Sequence, residues 1–143
     1  MKAQFGSISC DTLRTEDLVD AFLLELEHLS KDDRTTDEQT LIDEANACLV
    51  HEGDLDFILD ALQTALDERA PPYGYFGTHP GDGADFGFWL GDMDDFDGLK
   101  VGDTSEVPAD YVGEVLHVND HGNMTLSAKD EGKSELREIW SVV

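Results

Sequence analysis

Carboxylates dominate the side chains that could do chemistry in this chain. In GDMDDFDG, residues 91–98, the acids Asp92, Asp94, Asp95 and Asp97 crowd together with no Lys or Arg among them. Calcium is the first chemistry to test. An EF-hand loop needs oxygen ligands at positions 1, 3 and 5, Gly at 6 and a bidentate Glu at 12. Counting from Asp92 puts Phe96 at 5, Asp97 at 6 and Asp103 at 12, so the loop fails the pattern. In HVNDH, His117, Asp120 and His121 lie close in sequence, but Asn, Asp and Gly around them predict a hairpin turn and too few ligands for structural zinc. No metal and no cofactor is expected.

A second group of acids has helical spacing. Asp56, Asp60 and Asp67 stand at i, i+4 and i+11, which lines them along one stripe with Gln63 between. Each like-charge pair at such spacing opposes a helix by about 0.2–0.5 kcal/mol, and Asp is a poor helix former. Asp54 and Asp56 suit a first turn, where negative charge meets the helix dipole; Asp60 and Asp67 have no such reason. Helix stability therefore leaves the stripe unexplained, as a solvated face or as a surface that a partner reads. THPGDGADFGFW adds Asp82 and Asp85 among glycines and aromatics. No GxSxG, P-loop or GxGxxG in a strand-to-helix setting occurs, and neither cysteine has a recognisable His partner, so no catalytic residue is assigned.

Composition says what these acids can meet. In 143 residues, 33 Asp and Glu face 9 Lys and Arg, a net charge of -24. That excess argues against a direct hold on nucleic acid or an anionic membrane and for cationic partners. With 40% apolar residues the chain has material for a core. Cys10 and Cys48 lack a CxxC pattern and read as buried thiols of a reducing cytoplasm. The start, MKAQFGSISC, has too short an apolar run for a signal peptide, and no apolar stretch is long enough to span a membrane; a cytoplasmic protein is expected.

The elements that must carry the acids divide in two. Residues 15–70 predict three helices. The first buries Leu18, Val19, Phe22, Leu23, Leu26 and Leu29 and is capped by Thr15. The second opens on a capping box of Thr36 and Gln39 and buries Leu41, Ile42, Ala45, Cys48 and Leu49. The third starts at Asp54, uses Leu55, Ile58, Leu59, Leu62 and Leu66, and stops before Pro71 and Pro72. Beyond them, YGYFGT and DFGFWL predict a hairpin with the long loop HPGDGA, YVGEVLHV and NMTLSAK a second hairpin, and LREIWSVV a closing strand. The expected fold is α+β: a helical segment, 1–70, then an antiparallel sheet of four to six strands, 71–143, packed together as one domain.

The second half also resembles a known group. PPYGYFGTHPGDGADFGFW, the stretch from GLKVG through HGNMTL, and the terminal EIWSVV are similar to a family of small acidic bacteriophage and prophage proteins without an attached function. The resemblance covers about residues 71–143 and implies a phage accessory protein in a bacterial host; it brings no site residues. In charge and size the chain also resembles DNA-mimic inhibitors, without a sequence match.

Three functional expectations follow. The leading one is a non-enzymatic inhibitor that presents Asp54, Asp56, Asp60, Asp67, Asp82, Asp85, Asp92, Asp94, Asp95 and Asp97 to a basic, nucleic-acid-binding host protein. DNA carries one charge per about 1.7 Å of axis, so a net charge of this size matches about 12 base pairs. The second is surface adaptation to high salt, suggested by 21 Asp against 12 Glu and few Lys. The third is a small-molecule binder using the glycine-rich loop 79–88, over an apolar pocket lined by Tyr73, Tyr75, Phe86 and Trp89.

Overall fold

The computed structural model describes residues 1–51 and 53–142. The architecture is α+β, with helices ahead of most of the strands, and the chain divides into two compact units, Met1–Asp92 and Met93–Val143. The change from helix to strand near residue 70 is thus a change of secondary structure inside the first unit. The strands fall into two sheets, of three and four strands. Val143, expected in the last strand, lies outside the described residues.

The first unit begins with a short strand not expected from the sequence, β1 (Gly6–Ser9), followed by α1 (Thr15–Ser30), α2 (Thr36–His51), α3 (Leu55–Glu68), β2 (Gly74–His79) and β3 (Asp82–Leu90). All six apolar residues predicted for α1 are buried, as are Ile42 and Ala45 of α2 and Ile58, Leu62 and Leu66 of α3. Two caps differ from expectation. Arg14, not Thr15, occupies the N-cap of α1, and it supplies no capping side chain; the Thr15 hydroxyl instead donates to Asp56 on α3. On α2 the capping box is one residue earlier: the Thr35 N–H donates to the Glu38 carboxylate while the Glu38 N–H donates to the Thr35 hydroxyl. Asp54 caps α3 as expected, accepting from the Phe57 N–H.

β3 is the centre of the first sheet, with β1 and β2 antiparallel on either side. Phe76 lies opposite Phe88, and both pack into the helical core, where Phe22 of α1 meets Phe76 and Phe86 edge-on at centroid distances of 4.8 and 5.3 Å. Gly87 is required at the join with β1: a Cβ there would lie 2.2 Å from the Gly6 carbonyl oxygen. The loop expected between β2 and β3 contracts to a turn at Pro80 and Gly81, and Asp82 is already in β3.

Arg69, just past α3, closes the unit. Its guanidinium donates twice to Glu38 on α2, to Asp33 and to the carbonyls of Leu29, Asp33 and Met1. The Arg69 and Glu38 side chains are only 12% and 11% exposed, which makes this a buried pair. The hydrogen bonds from Arg69 hold the Glu38 carboxyl down at about 2 against the opposing effect of burial, with the Thr35 N–H assisting.

The second unit holds β4 (Leu99–Val101), β5 (Gly113–Val118), β6 (Met124–Lys129) and β7 (Leu136–Val142) in that sheet order. The predicted hairpin is β5–β6, and β7 pairs antiparallel with β6. β4, read from the sequence only as connecting chain, runs parallel to β5. Tyr111 ties these two strands, its hydroxyl accepting from the Leu99 N–H and donating to the Glu114 carbonyl. Lys129 is buried, and its ammonium donates to the carbonyls of Pro108 and Ala109.

Arg69→Ala should cost about 3 kcal/mol, because it strands a buried carboxylate; an unchanged urea midpoint would remove the hub from the account. The Glu38 carboxyl is depressed by folding, so its contribution is complete above its ordinary value of 4.5 and disappears as pH falls towards 2. Stability of the wild type measured across that window should fall more steeply than that of the Arg69→Ala chain.

Candidate functional site

The acidic surface is best assembled from α3 outwards. Burial of Ile58, Leu62 and Leu66 turns one face of the helix inwards, which leaves Asp56, Asp60 and Asp67 exposed on another. Two of the three have structural work that sequence reasoning missed. The Asp67 carboxylate accepts from the Phe76 N–H at 2.9 Å and fastens β2 to α3, while Asp56 accepts from Thr15 and fastens α1. The statement that stability does not explain Asp67 is therefore corrected. Asp60 is exposed and, among the described residues, its side chain makes no hydrogen bond or ion pair.

The hairpin acids also have local partners. Asp82 accepts from the Ala84 N–H and shapes the turn, and Asp85 accepts from the Ser7 hydroxyl on β1. Their field reaches Cys10, which is exposed rather than buried because it lies just past the end of β1. Asp11 beside it is the largest influence raising the thiol's pKa, with Asp85 and Asp82 adding to it.

In GDMDDFDG the aromatic residue, Phe96, is the buried one, and a Cβ at Gly98 would meet both its ring and the Glu114 carbonyl. With Phe96 turned inwards, the fifth position of a calcium loop has no oxygen to offer. Asp92 ends the first unit; Asp94, Asp95 and Asp97 open the second, and all four are exposed. The ten expected acids thus belong to two units, with six others on the first unit's α3 and hairpin besides the single Asp92 at its end.

The proposed small-molecule site is not built as expected. Residues 82–88 are strand, the Tyr75 hydroxyl donates to the Thr78 carbonyl, and the Trp89 indole donates to the Gly77 carbonyl and meets His79 edge-on at 4.8 Å. These aromatics are engaged with their own hairpin. The HVNDH segment forms the predicted turn: Asn119 accepts from the His121 and Asn123 N–H groups, while His117 pairs with the Gly102 carbonyl on the strand side. Among the described residues no three His, Cys, Asp or Glu side chains converge on a possible metal position.

Compared with known proteins, the chain matches no family model, no curated protein and no solved structure. Its own electrostatics therefore carry the functional argument. Some of the basic residues bond to the scaffold, Arg69 and Lys129 as described, Arg34 to the Ser30 hydroxyl and the Glu27 carbonyl, and Lys2 to the Glu68 carbonyl, while Arg14, Lys31, Lys100, Lys133 and Arg137 are exposed among the acids. By sequence the first unit carries 21 acids against 5 bases and the second 12 against 4. One feature had no clear sequence signal. The N-terminal ends of α1 and α3 and the C-terminal end of α2 border a groove of 490 Å³ lined by Glu16, Asp20, Cys48, Leu49, Gly53 and Leu55. Glu16 and Asp20 read in sequence only as the polar side of α1.

Substitutions should separate fastening acids from displayed ones. Asp67→Ala should cost about 1–3 kcal/mol by leaving the Phe76 N–H unsatisfied, whereas Asp60→Ala should be neutral or stabilising in the same thermal melt. Cys10 should alkylate at pH 8 more slowly than an exposed peptide thiol. Raising NaCl from about 0.05 to about 1 M should speed it by screening the surrounding carboxylates; a rate indifferent to salt would count against the field at this site.

Proposed function

We propose that the protein is a non-enzymatic decoy: a phage-encoded inhibitor, acting in the bacterial cytoplasm, whose carboxylates occupy the basic nucleic-acid-binding surface of a host defence or DNA-handling protein. The observation that carries this reading is the allocation of charge. Two of the nine cations, Arg69 and Lys129, are taken up by backbone carbonyls and a buried pair, and the rest are far outnumbered by exposed acids such as Asp60, Asp95 and Asp97. A basic groove approaching such a surface meets little positive charge to repel it. The α3 stripe is carried on a packed helix, so its carboxylates are held without further ordering on binding. Direct binding to nucleic acid or an anionic membrane is opposed by the same charge. No helix among the described residues is long and apolar enough to cross a membrane.

One observation favours a second reading. Charge is shared between the units nearly in proportion to their lengths, 21 acids against 5 bases in 92 residues and 12 against 4 in the remaining 51. A surface adapted to a high-salt cytoplasm would be acidic in that even way. Its fold would then need salt to screen self-repulsion.

One experiment addresses both. The immobilised protein, exposed to bacterial lysate in about 0.05 M salt, should retain a specific DNA-binding protein that is released by duplex DNA and by about 0.5 M salt. Retention that is flat with salt or indifferent to duplex DNA would overturn the decoy. Loss of the protein's own circular dichroism in the dilute buffer would favour the high-salt reading instead.

A further inference from the structure

We propose that the groove at the meeting of α1, α2 and α3 is an anchor pocket for an arginine side chain of the basic partner. This deepens the decoy reading and rests on it for the partner's identity, though not for the chemistry of the pocket. Three of the six lining residues, Cys48, Leu49 and Leu55, are half-buried and contribute apolar surface to a groove of 490 Å³. The edge is anionic, with Glu16 and Asp20 one helical turn apart on α1. A guanidinium on a three-carbon stem has the same division, an apolar stem below a charged planar head that binds carboxylates in fork geometry. Lysine shares the stem but offers a point charge that does not use two carboxylates together as well.

Local packing keeps the groove open. A Cβ at Gly53 would lie 2.7 Å from the Cys48 sulfur, so a larger residue there would push into the floor. Arg14 lies 3.7 Å from Glu16, but both side chains are more than half exposed. Such a pair contributes little and gives way to a better-placed guanidinium. The groove thus combines charge with apolar contact. A uniform electrostatic decoy would not need that combination.

The test uses the full chain, isotopically labelled, and two probes at about 0.15 M salt: a short amphipathic peptide of arginine and leucine, and hexa-arginine as a probe of charge alone. Amide shifts with the amphipathic peptide should centre on Glu16, Asp20, Leu49 and Leu55. The E16Q/D20N double variant should weaken its binding about tenfold or more, while E131Q/E135Q, the same charge change on an exposed turn of the second unit, should weaken it less than about twofold. Equal losses in the two variants, or hexa-arginine binding as tightly as the amphipathic peptide, would overturn the pocket. So would a captured DNA-competable partner whose affinity for E16Q/D20N is unchanged, although the decoy reading would then survive. Peptide binding at the groove without any DNA-competable partner from lysate would leave the pocket standing and remove the decoy.

Discussion

The first unit depends on one guanidinium. Arg69 lies just beyond α3, yet its donors reach the end of α1 through the Leu29 carbonyl, the following loop through Asp33, and the first turn of α2 through Glu38. Three helices whose outer faces repel one another need a point where opposite charge is concentrated and water is largely excluded. Such a pair is costly to desolvate and justifies burial only when its hydrogen bonds are complete. Here they are: the same Glu38 carboxylate that receives Arg69 also completes the capping box with Thr35. Helix initiation, interhelix packing and charge neutralisation therefore meet in a single residue pair.

The economy of cations follows from that arrangement. Nine Lys and Arg residues cannot balance 33 acids, so where they stand decides how the surface looks. Arg69, Arg34 and Lys129 donate to backbone carbonyls near helix ends and in loops. They stabilise the scaffold by hydrogen bonding, and their charge is withdrawn from the exterior. With 33 acids against nine bases the exterior is predominantly negative, which is the physical basis for reading it as a surface for cationic partners.

Within that exterior, acids differ in kind. Asp54, Asp56, Asp67, Asp82 and Asp85 each accept a hydrogen bond that closes a turn, caps a helix or joins two elements. A carboxylate can do this and still present its second oxygen and its charge to solvent, so structural use and display do not exclude each other. Asp60, Asp95 and Asp97 have exposure without such a fastening. In the loop from 91 to 98, Phe96 is buried while Asp92, Asp94, Asp95 and Asp97 are exposed.

Much of this was legible in the amino-acid order. Helical periodicity located α1, α2 and α3 and nearly all of their buried residues, and turn chemistry located β5–β6, because these signals are local and repeat within a few residues. The net charge, and hence the sign of any partner, is a property of composition alone. Other features needed the folded chain. β1 and β4 are short and take their identity from the strands they pair with, and the turn at Pro80–Gly81 is set by the register of β2 against β3. The capping box at Thr35 and Glu38 coincides with the partner of Arg69, 31 residues away from Glu38. Likewise the bond from Phe76 to Asp67, and the groove between three helix ends, join positions that no sequence spacing relates. Local propensity is written in neighbouring residues; which carboxylate fastens the fold and which one faces a partner depends on distances that exist only after the chain has closed on itself.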